Sequence, residues 1–256
     1  MNNLGITLQR IGKLQEAEIM QHQALSIQTK VFGNNHPDTL NSMSNLGITL
    51  QRAGKLQEAE EIQQQILAIQ CATIGSSHPD TLLTMNDLGN TLQRAEKLQE
   101  AEIMQKQALA IYEIVWAKDH PYTLVGMNNL GITLQKMGKL QEAELIQKQA
   151  FSIQEKALGK NHPDTLLSWN NLAITLQRAG KLQEAEQIQR QVLAIQQAVF
   201  GDGHSYTFLT MNDLGITLQR AGKLKEAEKI QYQALFAQQE VFGNNHPDTL
   251  SSMDSL

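Results

Sequence analysis

Methionine or tryptophan stands at residues 1, 43, 85, 127, 169, 211 and 253, an unbroken spacing of 42 across 256 residues. Segments begun at these residues superpose without insertion or deletion, and the first and sixth differ at 11 of 42 positions and match at 31. Agreement at that level exceeds what a shared fold demands and points to recent duplication or continual homogenisation. A fixed period between about 20 and 50 residues is the signature of a solenoid or a propeller, and the residue types inside the unit decide between them. The expected organisation is one array over 1–256, with units 1–42, 43–84, 85–126, 127–168, 169–210 and 211–252 and a partial seventh at 253–256.

The second unit, with its lead-in His36-Pro37-Asp38-Thr39-Leu40, shows what the unit is made of. Pro37 suits a first helical turn, where its missing N–H costs nothing, and Asp38 faces the positive end of the helix dipole. A helix A therefore starts near Pro37. Leu40, Met43, Leu46, Leu50 and Ala53 follow at intervals of three and four and make one apolar stripe. Gly54 ends this helix, because glycine accepts the left-handed C-terminal conformation. A longer helix B is expected from about Leu56 to Ile74, stopped by Gly75, with Leu56, Ala59, Ile62, Ile66, Leu67 and Ile69 as its buried candidates. Gly47 and Ala59 are small where the two helices must approach closely. One such pair buries too little to offset its chain entropy, so the units are expected to stand only together.

Composition narrows the function. The net charge of −5 argues against a nucleic-acid binder, and no apolar run approaches the length that spans a bilayer. Cys71 is the only cysteine, which rules out an internal disulfide and favours a reducing, cytoplasmic setting. Six of the seven histidines, His36, His78, His120, His162, His204 and His246, share one column, so they form a ladder rather than a metal cluster. Their expected role is at the loop-to-helix junction, capping helix A. Glu16 and Glu18, with copies such as Glu142 and Glu144, are expected to be dipole partners in the first turns of helix B beside Lys13 or Lys139. His22 is expected at the surface. No phosphate loop, nucleophile elbow or metal motif is present, so neither catalysis, nor a metal, nor a cofactor is expected.

Trp169-x2-Leu172-Ala173-x2-Leu176 and Met127-x2-Leu130-Gly131-x2-Leu134 resemble the first half of the tetratricopeptide repeat pattern, and Ala143 occupies the alanine position of its second half. Gln147 stands where that pattern has an aromatic residue, a departure repeated in every unit. The ordinary tetratricopeptide unit has about 34 residues. The longer unit here, with Gly-Asn-Asn-His-Pro-Asp-Thr-Leu between helices, is similar to the repeats of kinesin light chains and to the sensor arrays of NLR-like ATPases. The resemblance covers the whole chain and implies an all-α, right-handed solenoid of helix-turn-helix repeats whose A helices line a concave, peptide-binding surface.

On that surface the second and third positions of the units hold Asn2, Asn3, Ser44, Asn45, Asn86, Asp87, Asn128, Asn129, Asn170, Asn171, Asn212 and Asp213. Asparagine is a mediocre helix former, so its repetition in mid-helix needs a compensating hydrogen bond. The amides either form a ladder between units or grip a peptide backbone. Further along come Ile48 and Gln51 and then a basic column of Arg10, Arg52, Arg94, Lys136, Arg178 and Arg220, which either complements the helix dipole or attracts acidic segments. Kinesin light chains bind acidic peptides containing tryptophan, which is what the resemblance implies for these positions. The expected peptide-binding residues are Asn45, Arg52, Asn86, Asn90, Arg94, Asn128, Asn129, Lys136, Asn170, Asn171 and Arg178.

Unit three departs most from the consensus, with Asn90 for isoleucine, Glu96 for the turn glycine, and Trp116, Ala117 and Tyr122 at its exit. Unit five ends in Gly203-His204-Ser205-Tyr206-Thr207-Phe208, without proline or aspartate, and Trp169 restores the family's tryptophan in a core column. Both ends fall inside a helix A, which suggests a fragment of a longer protein and a half-helix Pro247–Leu256 able to support end-to-end self-association. The functions this leaves are the ligand-sensing repeats of an NLR-like protein, a kinesin light chain-type cargo adaptor, or a scaffold or spacer.

Overall fold

Each unit folds as a pair of antiparallel helices. The structure is a computed structural model that describes residues 2–243. Among the described residues the regular elements are α1 (Asn2–Arg10), α2 (Leu14–Phe32), α3 (Pro37–Arg52), α4 (Leu56–Thr73), α5 (Pro79–Arg94), α6 (Leu98–Val115), α7 (Pro121–Lys136), α8 (Leu140–Leu158), α9 (Pro163–Arg178), α10 (Leu182–Phe200), α11 (Ser205–Arg220) and α12 (Leu224–Phe242). Odd-numbered helices are the A helices and even-numbered ones the B helices. The half-helix expected at Pro247–Leu256, and the self-association built on it, lie outside the described residues, as does His246.

The chain forms two compact bodies, Met1–Asn129 and Leu130–Leu256. In the first, α1 to α6 pack consecutively, α1 on α2 through α5 on α6, and α1, α3 and α5 also touch as successive A helices. In the second, α8 to α12 pack in the same consecutive way and α9 touches α11. The apolar stripe read from the sequence is the core: Leu46, Leu50 and Ala59 are wholly shielded from solvent, as are Ala143 and Ala185 in later units. Trp169 packs with Leu166, Leu172, Leu176 and Val192 and lies flat on Phe151, ring centroids 4.9 Å apart. Burying one such leucine contributes roughly 1.5–3 kcal/mol.

The boundaries follow from local chemistry. Nδ1 of His36, His78 and His162 accepts the backbone N–H two residues on at 3.2–3.3 Å, and His120 and His204 do the same for Tyr122 and Tyr206. The histidine column is thus an N-cap, satisfying one of the donors that a helix start leaves over. Helix B of the second unit ends at Thr73, one residue before the expected Ile74, and Leu56, Ile62, Leu67 and Ile69 are only partly buried. In their place Glu60, Gln63 and Gln70 enter the buried face of α4.

Within each body, polar groups at this level also tie neighbouring units together. Gln51 Nε2 donates to Thr91 Oγ1 at 3.0 Å, and the same bond joins Gln135 to Thr175 at 2.8 Å and Gln177 to Thr217 at 2.9 Å. Thr175 Oγ1 in turn donates to Gln147 Oε1 at 2.6 Å, so the glutamine that replaces the family's aromatic residue receives a hydrogen bond from the next unit. Gly131 makes room for it, since a Cβ there would lie 2.7 Å from Gln147 Cγ.

Glu18 and its copies are more than dipole partners. Glu18, Glu60, Glu144 and Glu186 accept from Lys55, Lys97, Lys181 and Lys223 of the following unit at 2.6–2.9 Å. A pattern within one unit could not show these bonds, because each partner lies 37 residues away. Glu16, by contrast, pairs locally with Lys13 at 3.0 Å, both exposed.

Three outcomes are expected. Excising residues 43–84 brings Thr91 to Gln9 and Lys97 to Glu18 in unchanged register, so the shortened chain should keep its helicity per residue by circular dichroism and unfold cooperatively. Excising 43–74 instead should abolish cooperative unfolding. The turns after helix A and helix B use glycine at φ near +80°, except for Glu96 at 58° and Ala117 at 74°. Glycine at each of these two positions should stabilise the chain by about 0.5–1 kcal/mol in denaturant titration.

The third outcome concerns pH. The Lys148 ammonium, and then Lys181, hold the Glu144 carboxyl below its ordinary range. At Glu186 burial alone would raise the carboxyl, but Lys223 and Arg190 outweigh it and lower it. A carboxyl lowered on folding stabilises the chain above its unfolded value, about 4.3, and loses that effect as pH falls through the folded value. Glu144→Gln should therefore be less stable than wild type at pH 7, with the gap closing as pH falls below the unfolded value of about 4.3 and through the lower folded one.

Candidate functional site

The site expected from the sequence lies on the A helices, and its residues fall into three rows along each helix. The first is the pair of amide positions. Asn129 Nδ2 donates to Asn86 Oδ1 at 2.8 Å, and Asn170 Nδ2 donates to Asp213 Oδ2 at 2.7 Å. Each bond joins the second position of one unit to the third position of the next, which is the ladder arrangement. Asn45, Asn86, Asn90, Asn128, Asn129 and Asn171 are partly exposed, whereas Asn170 is 6% exposed and its Oδ1 has no hydrogen-bond partner. The backbone carbonyls of Asn45 and Asn171 accept from Thr49 and Thr175 one turn on.

The second row is apolar. Ile48, Ile132 and Ile174 are partly buried and Ile216 is 45% exposed; Asn90 takes this place on α5. Seven residues earlier on the same helix faces stand the exposed Val125, Leu167 and Leu209. In the second body, α9 thus presents Leu167 and Ile174, and its neighbour α11 presents Leu209 and Ile216.

The third row is the basic column. Arg10, Arg52, Arg94, Lys136, Arg178 and Arg220 are all exposed and all in the last turn of an A helix. Among the described residues, Arg10, Arg52, Arg94, Arg178 and Arg220 form no ion pair, in contrast to Lys55, Lys97, Lys181, Lys223 and Arg190, which all do. These five arginines therefore present uncompensated positive charge beside an apolar row and an amide row.

Sequence reading passed over two features of this face. Of the glutamines before the basic column, Gln51, Gln135 and Gln177 are committed to the threonine bonds described above, Gln93 donates to the Asn129 carbonyl at 3.3 Å, and Gln219 donates to Gln231 Oε1 at 3.1 Å. The aspartates at the third position, Asp87 and Asp213, differ in charge from the asparagines around them. Burial pushes the Asp87 carboxyl up to about 6, against a smaller lowering by the Asn86 side chain, and raises Asp213 in the same way against Asn170. The signal was present in the sequence as an Asn-to-Asp exchange, but its meaning depends on shielding that only packing supplies.

The other clusters are structural. Trp116 stacks with Tyr112 and His120 at 5.4 and 4.8 Å and tilts against Tyr122 at 5.1 Å, while Tyr112 donates to the Leu82 carbonyl at 2.7 Å. A polar cleft of about 460 Å³ in the second body is lined by Glu142, Glu144 and Lys181, and its Glu144 is already paired. His22 is exposed. Among the described residues no group of three or more His, Cys, Asp or Glu converges on a metal position, and no helix is long and apolar enough to cross a membrane.

Comparison with known proteins agrees with this architecture. No curated protein matches the chain. A solved structure from Podosopora anserina, described as a kinesin light chain with nearly identical TPR-like repeats, is 32% identical, with a TM-score of 0.70 over 81% of this chain and 98% of that one. BtubC (BKLC) from P. vanneervenii shares the fold at 18% identity and a TM-score of 0.74, covering 91% of this chain and 94% of that one. A Rap protein solved in complex with Competence and Sporulation Factor does so at 12% identity and a TM-score of 0.63, covering 100% and 72%. The tetratricopeptide repeat profile matches residues 1–72, 50–114, 122–198, 164–236 and 206–256. With paired helices, the internal period and these matches in agreement, the chain belongs to the tetratricopeptide repeat family, of kinesin light chain-like type and all-α solenoid class.

Proposed function

We propose that the chain is a non-catalytic interaction module, working without metal or cofactor, that holds an extended or helical peptide or protein segment on the concave face of its A helices. In this reading Asn45, Asn86, Asn90, Asn128, Asn129, Asn170 and Asn171 contact the backbone of the segment, and Arg52, Arg94, Lys136 and Arg178 hold its acidic groups. The observation that carries it is the contrast between cations. Those at the edges between units are paired, whereas the arginines of the A helices are exposed and uncompensated beside an apolar row. A structural column that served only the helix dipole would not need that apolar row. A protein of this fold, the Rap protein, is known in complex with Competence and Sporulation Factor.

For the parent context we favour the ligand-sensing repeats of an NLR-like protein in the cytoplasm, supported by the near-identity of the units, 31 of 42 positions between the first and sixth. A second reading, a cargo adaptor of kinesin light chain type, is supported by the 32% identity to the Podosopora anserina protein. A passive scaffold would bind nothing on this face.

The test is a peptide array scored at low and high salt against the wild type and the triple variant Arg52→Glu, Arg94→Glu, Arg178→Glu. Acidic peptides should bind the wild type, weaken as salt rises, and lose at least about tenfold in affinity to the variant, as expected for exposed charges. Its Tm should move by no more than about 2 °C, whereas Leu130→Ala, a core truncation costing ~2–5 kcal/mol, should lower Tm markedly. Acidic peptides that bind both proteins equally, at both salts, would rule out the basic column.

A further inference from the structure

Among the described residues the shielded carboxylates fall into two groups. Glu18, Glu60, Glu102, Glu144 and Glu186 each have a lysine at 2.6–2.9 Å. Asp87 and Asp213 form no ion pair among the described residues; their side-chain partners are the neutral amides of Asn86 and Asn170. Taking a carboxylate out of water without a cation is unfavourable, and the upward shift of both groups on burial reports that cost. Such a residue on a binding face is available to a cation brought by a partner.

The surroundings of Asp87 set it apart from Asp213. One turn after Asp87 comes Asn90, where the other units have Ile6, Ile48, Ile132, Ile174 and Ile216. Asn129 Nδ2 donates from α7 to Asn86 Oδ1 at 2.8 Å, and Asn86 is in turn the side-chain partner of Asp87, so the carboxylate ends a row of neutral amides. Arg94, exposed and unpaired, follows seven residues after Asp87 on the same face of α5, about 10.5 Å along the axis. Asp213 has the same relation to Arg220 but has the apolar Ile216 between them.

We propose that Asp87, with Asn90 beside it, is a subsite for a basic side chain, arginine or lysine, of the bound peptide, while Arg94 holds an acidic residue of the same segment. The inference rests on the peptide-binding reading of the A helices given above and adds a register to it. A peptide in the polyproline II conformation advances about 3.1 Å per residue and returns to the same side every third residue, so the basic and acidic residues are three apart. Near-identical units cannot by themselves select a position along a ligand. Unit three breaks the equivalence, because it alone places a carboxylate and a third-row arginine on either side of an amide.

The experiment uses the intact chain and immobilised Gly/Ser peptides of one length carrying Glu alone, Arg alone, or both at spacings of two to six residues. Peptides with Arg and Glu three apart should bind roughly tenfold tighter than peptides with Glu alone, the scale of one charge-assisted hydrogen-bonded contact. Asp87→Asn should erase that gain and leave the Glu-only affinity unchanged, and Asp213→Asn should leave the gain intact. Asparagine already occupies the same position at Asn45, Asn129 and Asn171, so the variants are expected to fold. Equal affinity for the two peptide classes, or a gain that survives Asp87→Asn, would overturn the subsite while leaving acidic-peptide binding standing. Failure of every Glu-containing peptide to bind would overturn the peptide-binding reading and the subsite with it.

Discussion

The hydrogen bond from a glutamine near the end of one A helix to a buried threonine of the next is the constraint on which the array depends. Thr91, Thr175 and Thr217 are fully shielded, and each receives its amide from a residue 40 positions earlier. Each threonine hydroxyl also donates to the carbonyl one turn back, which fixes its orientation, so a glutamine amide meets it only where the neighbouring helix keeps the same offset. One inserted residue would move that glutamine by about 100° around its helix. The strict 42-residue period is therefore a physical requirement as well as a trace of duplication.

The other bonds between units build on the same register. Lysine before helix B reaches back to a glutamate of the preceding unit, and asparagine at the second position reaches forward to the third position of the following one. Apolar burial supplies most of the cohesion, and the polar bonds select which neighbour and which offset. A leucine stripe alone tolerates sliding by a turn, whereas a shielded glutamine or glutamate does not. Each unit thus specifies the next, and the outward face of the A helices is left to vary without disturbing the stack.

That division explains where variation collects. Asn90 and the exposed Leu167 and Leu209 sit on the outward rows, where a change alters the surface and not the joints. Unit three also carries its changes in the turns, at Glu96 and Ala117, both held at positive φ where the other units use glycine. Such residues cost stability, and neighbouring joints that remain unchanged are what hold them in place.

Much of the fold was legible in the sequence because its signals are local. Proline after histidine marks the start of the A helices α3, α5, α7 and α9, glycine marks most of the ends, and leucine spacing marks the buried stripe; each acts within one turn of chain. The candidate face was legible as columns, since position within a unit fixes the side of the helix. What the sequence could not decide was the partner of each polar residue. Gln147 was visible as a departure from the family's aromatic residue, but the acceptor role of its side chain depends on Thr175, 28 residues on. Glu144 read as a dipole partner until Lys181 came within 2.9 Å of it. Asp87 read as one more member of an amide row, and only packing around it turned a surface carboxylate into a shielded one. Sequence determined the helices and their faces because those follow from spacing along one chain segment; tertiary structure alone decided the pairings, because hydrogen bonds and desolvation depend on distances between segments.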